Sequence, residues 1–168
     1  INDIEDVEID SVNSPDRPLL RGTLTKEHYR AIIILLVSLL ATGGILINWN
    51  VFVMIVLFQV AYGLYSLQPL YLKKHFLGSS AMVGLAGTAL FFAGYFTSAI
   101  NQSIRLIPVS LLTVIFISLA IISNTKDFKD VVGDKLHNIK TLPVLFGKRR
   151  AGLLVSLTWI IWLVLLGF

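Results

Sequence analysis

The sequence predicts an all-α, multi-span transmembrane helical bundle, with about five spans of a larger bundle. Three observations predict it. Hydrophobic residues make up 55% of the chain and charged residues 14%, and the mean hydropathy is +0.79, values that belong to membrane proteins. Apolar stretches near the length of a bilayer crossing recur at 29–47, 51–66, 79–100, 107–123 and 151–168. The charges between them sort almost entirely to one side.

Each segment has its own signature. Residues 1–26 open with an acidic run that is broken by Pro15, Pro18 and Gly22. The first span, 29–47, turns at Asn48-Trp49-Asn50 into the short second span, 51–66. The third span, 79–100, is rich in small residues (Gly84, Gly87, Ala89, Ala93, Gly94), which let helices approach closely in lipid. The fourth, 107–123, leads into a second polar segment, 124–150, punctuated by Pro143 and Gly147. The last span, 151–168, follows Lys148-Arg149-Arg150, a cluster that reads as a membrane boundary. Segments 1–26 and 124–150 exceed the about 12–15 residues beyond which loops are often functional. The chain opens on Ile1 and closes in an apolar run at Phe168, which reads as a partial domain that begins at the end of a transmembrane helix.

With these spans, Arg105 is the one residue among the 14 Lys and Arg that lies on the far side of the membrane. All 10 Asp and Glu residues and all 3 His fall on the near side. The excess of cations makes the near side cytoplasmic. The net charge of +4 comes from cations that flank apolar spans, so anionic lipid rather than nucleic acid is the expected partner. The chain has no cysteine, which excludes disulfides and thiolate metal sites, and His28, His75 and His137 show no zinc-ligand spacing.

The chemistry sits in two acidic triplets, Asp3-Asp6-Asp10 and Asp127-Asp130-Asp134. Both have the spacing 0, +3, +7, one face of an α-helix. Asn2, Asp6 and Asp10 also follow i, i+4, i+8, and Asp130 and Asp134 follow i, i+4. Hard oxygen ligands of this kind suit Mg2+, which binds through one or two carboxylates plus substrate phosphates. A solvated acidic face explains one triplet as well, but two identical triplets on one membrane face favour a site for a phosphorylated, apolar substrate. Gly133 within the second triplet marks either a close approach or a helix end. Lys73, Lys74, Arg17 and Arg21 are candidate phosphate contacts; for the two lysines, snorkelling is the competing explanation. Phe91, Phe92, Tyr95, Phe96, Trp159 and Trp162 either line a channel for an apolar chain or simply pack helices, and packing is the simpler reading of each.

These motifs resemble those of UbiA-type intramembrane prenyltransferases. Asn2-Asp3-x-x-Asp6-x-x-x-Asp10 is similar to that family's first aspartate motif, and Asn13-Ser14-Pro15-Asp16-Arg17-Pro18 to its N-x-P-x-R-P segment. Lys126-Asp127-x-x-Asp130-x-x-Gly133-Asp134 is similar to the second motif, with Thr141-Leu142-Pro143-Val144 and Gly147 continuing the likeness. The segment from Tyr65-Ser66 to Lys73 resembles the basic stretch between the motifs. The resemblance runs in order along nearly the whole chain. It departs at Ser14, where the family often has Arg, at Ser79, where Asn is common, and at Leu20-Arg21.

The resemblance implies a bundle of about nine helices around a central cavity, of which this chain would supply the end of the second through the seventh. It implies transfer of a prenyl group from a polyprenyl diphosphate to a lipophilic or aromatic acceptor, with Mg2+ as cofactor. The implied catalytic residues are Asp6, Asp10, Asp130 and Asp134. Asn2, Asp6 and Asp10 would hold one metal ion, and Asp130 and Asp134 the other. Asp3 and Asp127 would support these ligands or bind acceptor, and Arg17, Tyr65 and Lys73 would contact the diphosphate. The second motif is more similar to the branch with lipid or quinone-type acceptors than to haem O synthases. Two other classes compete: a cation transporter, which would place carboxylates within the spans, and a non-catalytic membrane protein with acidic loops.

Overall fold

A computed structural model describes residues 1–98 and 103–167. The expected end of the third span at Ile100 and the terminal Phe168 lie outside the described residues. Two short helices, α1 (Asn2–Glu5) and α2 (Val7–Asn13), precede the long helices α3 (Lys26–Ile47), α4 (Trp49–Ser66), α5 (Phe76–Ser98) and α6 (Val109–Ile122). The backbone runs on from α6 as a 3-10 helix, Ser123–Phe128, and then forms α7 (Val131–Leu136) and α8 (Leu142–Leu165). Among the described residues the one departure from helix pairing is a parallel bridge between His75 and Lys140.

Four helices are long and apolar enough to cross a membrane: α3, α4, α5, and α6 extended to Phe128. The fifth stretch expected at 151–168 forms the distal part of α8, beyond a break at Gly147 (φ 76°, ψ 153°). Four of the five expected apolar stretches thus coincide with helices long and apolar enough to cross a membrane. Helix α4 packs on both α3 and α5, and α5 packs on α6. A single residue, Asn48, separates α3 from α4; such short connections make neighbouring helices antiparallel. The Asn48 side chain accepts from the Val51 amide (2.9 Å) and so caps α4, and its amide donates to the Phe96 carbonyl (3.0 Å), fixing the turn against the end of α5. At the other end of α3, Thr25 and His28 form a reciprocal capping box.

Lipid explains the outer surface and close packing explains the inner one. Helix α3 buries only Gly44 and exposes Ile34, Leu35, Leu39 and Leu46, a face that would be costly in water but is solvated by acyl chains. Between α5 and α6 the small residues matter. A Cβ on Gly84 would meet the Phe116 carbonyl oxygen at 2.9 Å and its ring at 3.0 Å, and one on Gly87 would meet Leu119. Gly94, by contrast, faces open space. Gly84→Val is therefore expected to destabilise the bundle by about 1–3 kcal/mol through overpacking, read as a lowered midpoint of thermal unfolding in detergent. Gly43→Ala, at a position with nothing within 4 Å, should leave the midpoint unchanged or slightly raised. Equal losses in both variants would sink the close-packing account.

Candidate active site

Because α3 to α6 alternate in direction, the segments 1–26, 67–75 and 123–141 meet at one end of the bundle. Arg105, in a 3-10 turn Ile104–Leu106, lies at the opposite end. The two acidic segments also meet each other, through α2 packed on α7. The middle aspartate of each triplet breaks the helix that the 0, +3, +7 spacing predicts. Asp6 (φ −101°, ψ 15°) separates α1 from α2, and Asp130 (φ −97°, ψ 7°) separates the 3-10 helix from α7. Both occupy the bridge region of backbone space, where many active-site residues sit.

Between the segments lies a cavity of about 80 Å³ lined by polar groups. Five carboxylates face it (Asp6, Asp10, Asp127, Asp130, Asp134), together with Asn2, and three cations (Arg17, Lys73, Lys126). Asp6 is buried and ion-paired to the equally buried Lys73, and the Tyr71 hydroxyl donates to its second oxygen at 2.6 Å. Lys73 also donates to the Asn2 side-chain carbonyl. Arg17 pairs with both Asp3 and Asp10. Its contact to Asp10 Oδ2 measures 2.9 Å but is not aligned as a hydrogen bond, so that buried oxygen keeps an open lone-pair direction. Lys126 donates to Asp127 Oδ1 (2.7 Å), while the buried Asp127 Oδ2 has no partner. Thr141 donates to Asp134 Oδ2 at 3.4 Å.

Burial, more than the crowding of negative charge, shows in the titration of the carboxyls. Burial, reinforced by Asp6 and Asp3 and opposed by Arg17, pushes Asp10 up to about 6. Burial, with Asp127 and Asp130 beside it, does the same to Asp134. Burial and the bond to Asp6 raise the Tyr71 hydroxyl, which stays a donor. Burial lowers Lys73, against the pull of Asp6.

Of the residues singled out in the sequence, Asn2, Asp6, Asp10, Arg17, Tyr65, Lys73, Asp127, Asp130 and Asp134 line this cavity. Asp3 does not; it is held aside by Arg17 and by the Tyr29 hydroxyl (3.1 Å). Arg21 pairs with Asp16 in solvent, and Lys74 is exposed over the Tyr71 ring. The aromatic residues Phe91, Phe92, Tyr95 and Phe96 pack on one another near the far end of α5, and Trp162 donates to Ser118, which fits the packing reading. Tyr71, Asn13, Lys126 and Thr141 escaped assignment although all four lie inside the quoted motifs. The second signal for Tyr71 is conformational (φ 41°) and is not readable from residue types. Asn13 accepts from the Gly133 amide (2.9 Å) and donates to the Asp130 carbonyl (3.1 Å). A Cβ on Gly133 would meet the Asn13 side chain at 2.5 Å, so the glycine marks a close approach.

The donor set fits a hard divalent cation. The cavity carries more carboxylates than cations, and two of its buried carboxylate oxygens, on Asp10 and Asp127, lack hydrogen-bond partners. Among the described residues no three His, Cys, Asp or Glu side chains converge tightly enough to hold an ion by themselves.

Fold and site together define a multi-pass membrane bundle with a partly open acidic cavity at one end. Residues 1–168 match the UbiA prenyltransferase family, and the chain belongs to that family. It is similar to digeranylgeranylglyceryl phosphate synthases: 31% identical over 164 residues to that of Methanosphaera stadtmanae, covering 96% of this chain and 57% of the relative. The enzyme of Methanothrix thermoacetophila is 33% identical over 164 residues (96% and 58%), and that of Thermococcus sibiricus 31% over 168 residues (96% and 56%). The chain thus spans a little over half the length of these relatives. No solved structure matches it.

The raised carboxyls set a pH dependence. Asp10 and Asp134 each bind a proton in the folded state near pH 6, well above the unfolded carboxyl range of about 4. They therefore destabilise the metal-free fold above pH 6 and relieve it as pH falls towards 4. Metal-free protein in detergent is expected to melt a few degrees higher at about pH 5.5 than at about pH 7.5. The Asp10→Asn/Asp134→Asn double variant should lose most of that rise; a rise of the same size in the double variant would refute the assignment.

Proposed function

We propose that this chain carries the diphosphate-binding end of an intramembrane prenyltransferase, which moves a prenyl group from a polyprenyl diphosphate to a lipophilic acceptor. The observation that carries the reading is the convergence of both aspartate motifs, Lys73 and Arg17 on one cavity at the head of an apolar bundle. Asn2, Asp6 and Asp10 would hold one Mg2+, and Asp130 and Asp134 a second, with Asp127 in support. Bound Mg2+ would neutralise charge on the departing diphosphate. Lys73, Arg17 and Tyr65 would contact diphosphate oxygens, the two cations by exchanging carboxylate partners for phosphate ones.

A second, mainly apolar cavity of about 210 Å³ adjoins the first and shares Tyr65 and Lys126 with it, with Ala61, Met82 and Val83 in its wall. This pairing suits a substrate that is anionic at its head and hydrocarbon beyond it. In the reaction the allylic C–O bond breaks and diphosphate leaves with the electron pair. An acceptor oxygen or carbon then attacks the allylic carbon and loses its proton. Exclusion of water by the bundle would protect the allylic cation. The relatives are named for making digeranylgeranylglyceryl phosphate; brought to this chain, that name gives a geranylgeranyl donor and a glyceryl phosphate ether as the acceptor class. The site would face the cytoplasm, since it lies at the cation-rich end of the spans.

The test is transfer of labelled geranylgeranyl groups in membranes that contain the intact protein, with geranylgeranylglyceryl phosphate and aromatic acceptors supplied in parallel. Product should require Mg2+, and Asp6→Ala and Asp130→Ala should each lower its rate on the order of 100-fold or more. Undiminished transfer by both variants, at matched protein levels, would overturn the roles given to these residues. Product on an aromatic acceptor only would overturn the glyceryl phosphate assignment and leave the reaction class standing.

A further inference from the structure

We infer that Asn13 caps helix α7 in place of Asp130, and that this keeps the Asp130 carboxylate turned into the cavity. The reasoning starts from the end of α7. Asp130 occupies its N-cap position. Aspartate is among the preferred residues there because its carboxylate accepts from the free amide two or three positions on. Left to local preference, Asp130 would spend its side chain on its own helix. It makes no such bond, and it lines the cavity instead.

The amide three positions on is that of Gly133, and its acceptor is Asn13 Oδ1 at 2.9 Å. The other end of the same side chain, Asn13 Nδ2, donates to the Asp130 main-chain carbonyl at 3.1 Å. Both halves of one amide are thus used on the first turn of α7, which fixes the orientation of Asn13 and the position of Asp130 together. The fit depends on Gly133: its amide can be reached only because no Cβ stands in the 2.5 Å gap to Asn13. Two residues 120 positions apart are therefore matched in shape as well as in hydrogen bonding. The helix α2 ends at Asn13, with Pro15 just beyond, which places this side chain at the tip nearest α7. Asn13 is a positioning residue, acting on Asp130 rather than on substrate. This rests on the proposed reading of Asp130 as a metal carboxylate.

The experiment uses the intact protein in detergent, with Mn2+ as the probe of the divalent site and free Mn2+ counted by electron paramagnetic resonance. Asn13→Ala is expected to weaken Mn2+ binding about 10-fold, as loss of an outer-shell partner does. In an Asp130→Ala background the same change should have no further effect, because the residue acts through Asp130. Gly133→Ala should reproduce the loss by displacing Asn13 with its methyl group. Combined with Asn13→Ala, it should add nothing, and this second route keeps the test decisive if Asn13→Ala alone folds poorly. Equal weakening by Asn13→Ala with and without Asp130 would overturn the inference, as would unchanged binding in both Asn13→Ala and Gly133→Ala. Mn2+ binding that is absent from the parent protein, or indifferent to Asp130→Ala, would overturn the metal reading itself.

Discussion

Everything at the working end of this molecule depends on one electrostatic constraint: carboxylates are gathered out of water at the head of a bundle whose sides face lipid. Charge within a bilayer core is costly, so the chain confines it to the helix ends. There the buried carboxylates need compensation. Lys73 answers Asp6, Arg17 bridges Asp3 and Asp10, and Lys126 answers Asp127. The cations are fewer than the carboxylates that face the cavity. What remains is a site with negative charge to spare, built on rigid helix ends, next to an apolar recess.

The two aspartate segments solve the same local problem in the same way. In each, the middle aspartate leaves helical geometry, while the third sits inside the following helix and is buried. A continuous helix would present its aspartates at a fixed pitch along one edge. With the break, the middle residue lines the cavity from outside the following helix, while the third lines it from within that helix. Their partners differ. Asp6 is locked to Lys73 and Tyr71, whereas Asp130 is freed by a neighbour that caps its helix.

Much of this was legible from residue order. The spans follow from apolar length, and their alternation alone brings 1–26 and 124–150 to one face. The spacing of the aspartates, and the basic segment ending at Lys73, named most of the cavity lining. What could not be read was pairing across the chain. Nothing in the sequence says that Arg17 draws Asp3 away from the cavity, or that Tyr71 reaches Asp6 from a left-handed backbone position. The role of Gly133 was ambiguous for the same reason: whether a glycine ends a helix or admits a neighbour depends on what arrives beside it. Helix α8 shows the complementary limit. Its apolar run has the composition of a span, but the break at Gly147 and the basic cluster beside it fix where the run begins.

The hydrogen bonds from Asn13 to the second acidic segment join residues 117 and 120 positions apart, and that separation sets an order of events during synthesis. Chain growth at about 5–20 residues per second puts roughly 6 to 24 seconds between the emergence of Asn13 and that of Gly133. Lys73, the buried ion-pair partner of Asp6, is made midway through that interval. The N-terminal aspartates and the ammonium group that neutralises Asp6 thus precede the second acidic segment in synthesis, and the site is complete only once Gly133 has joined Asn13.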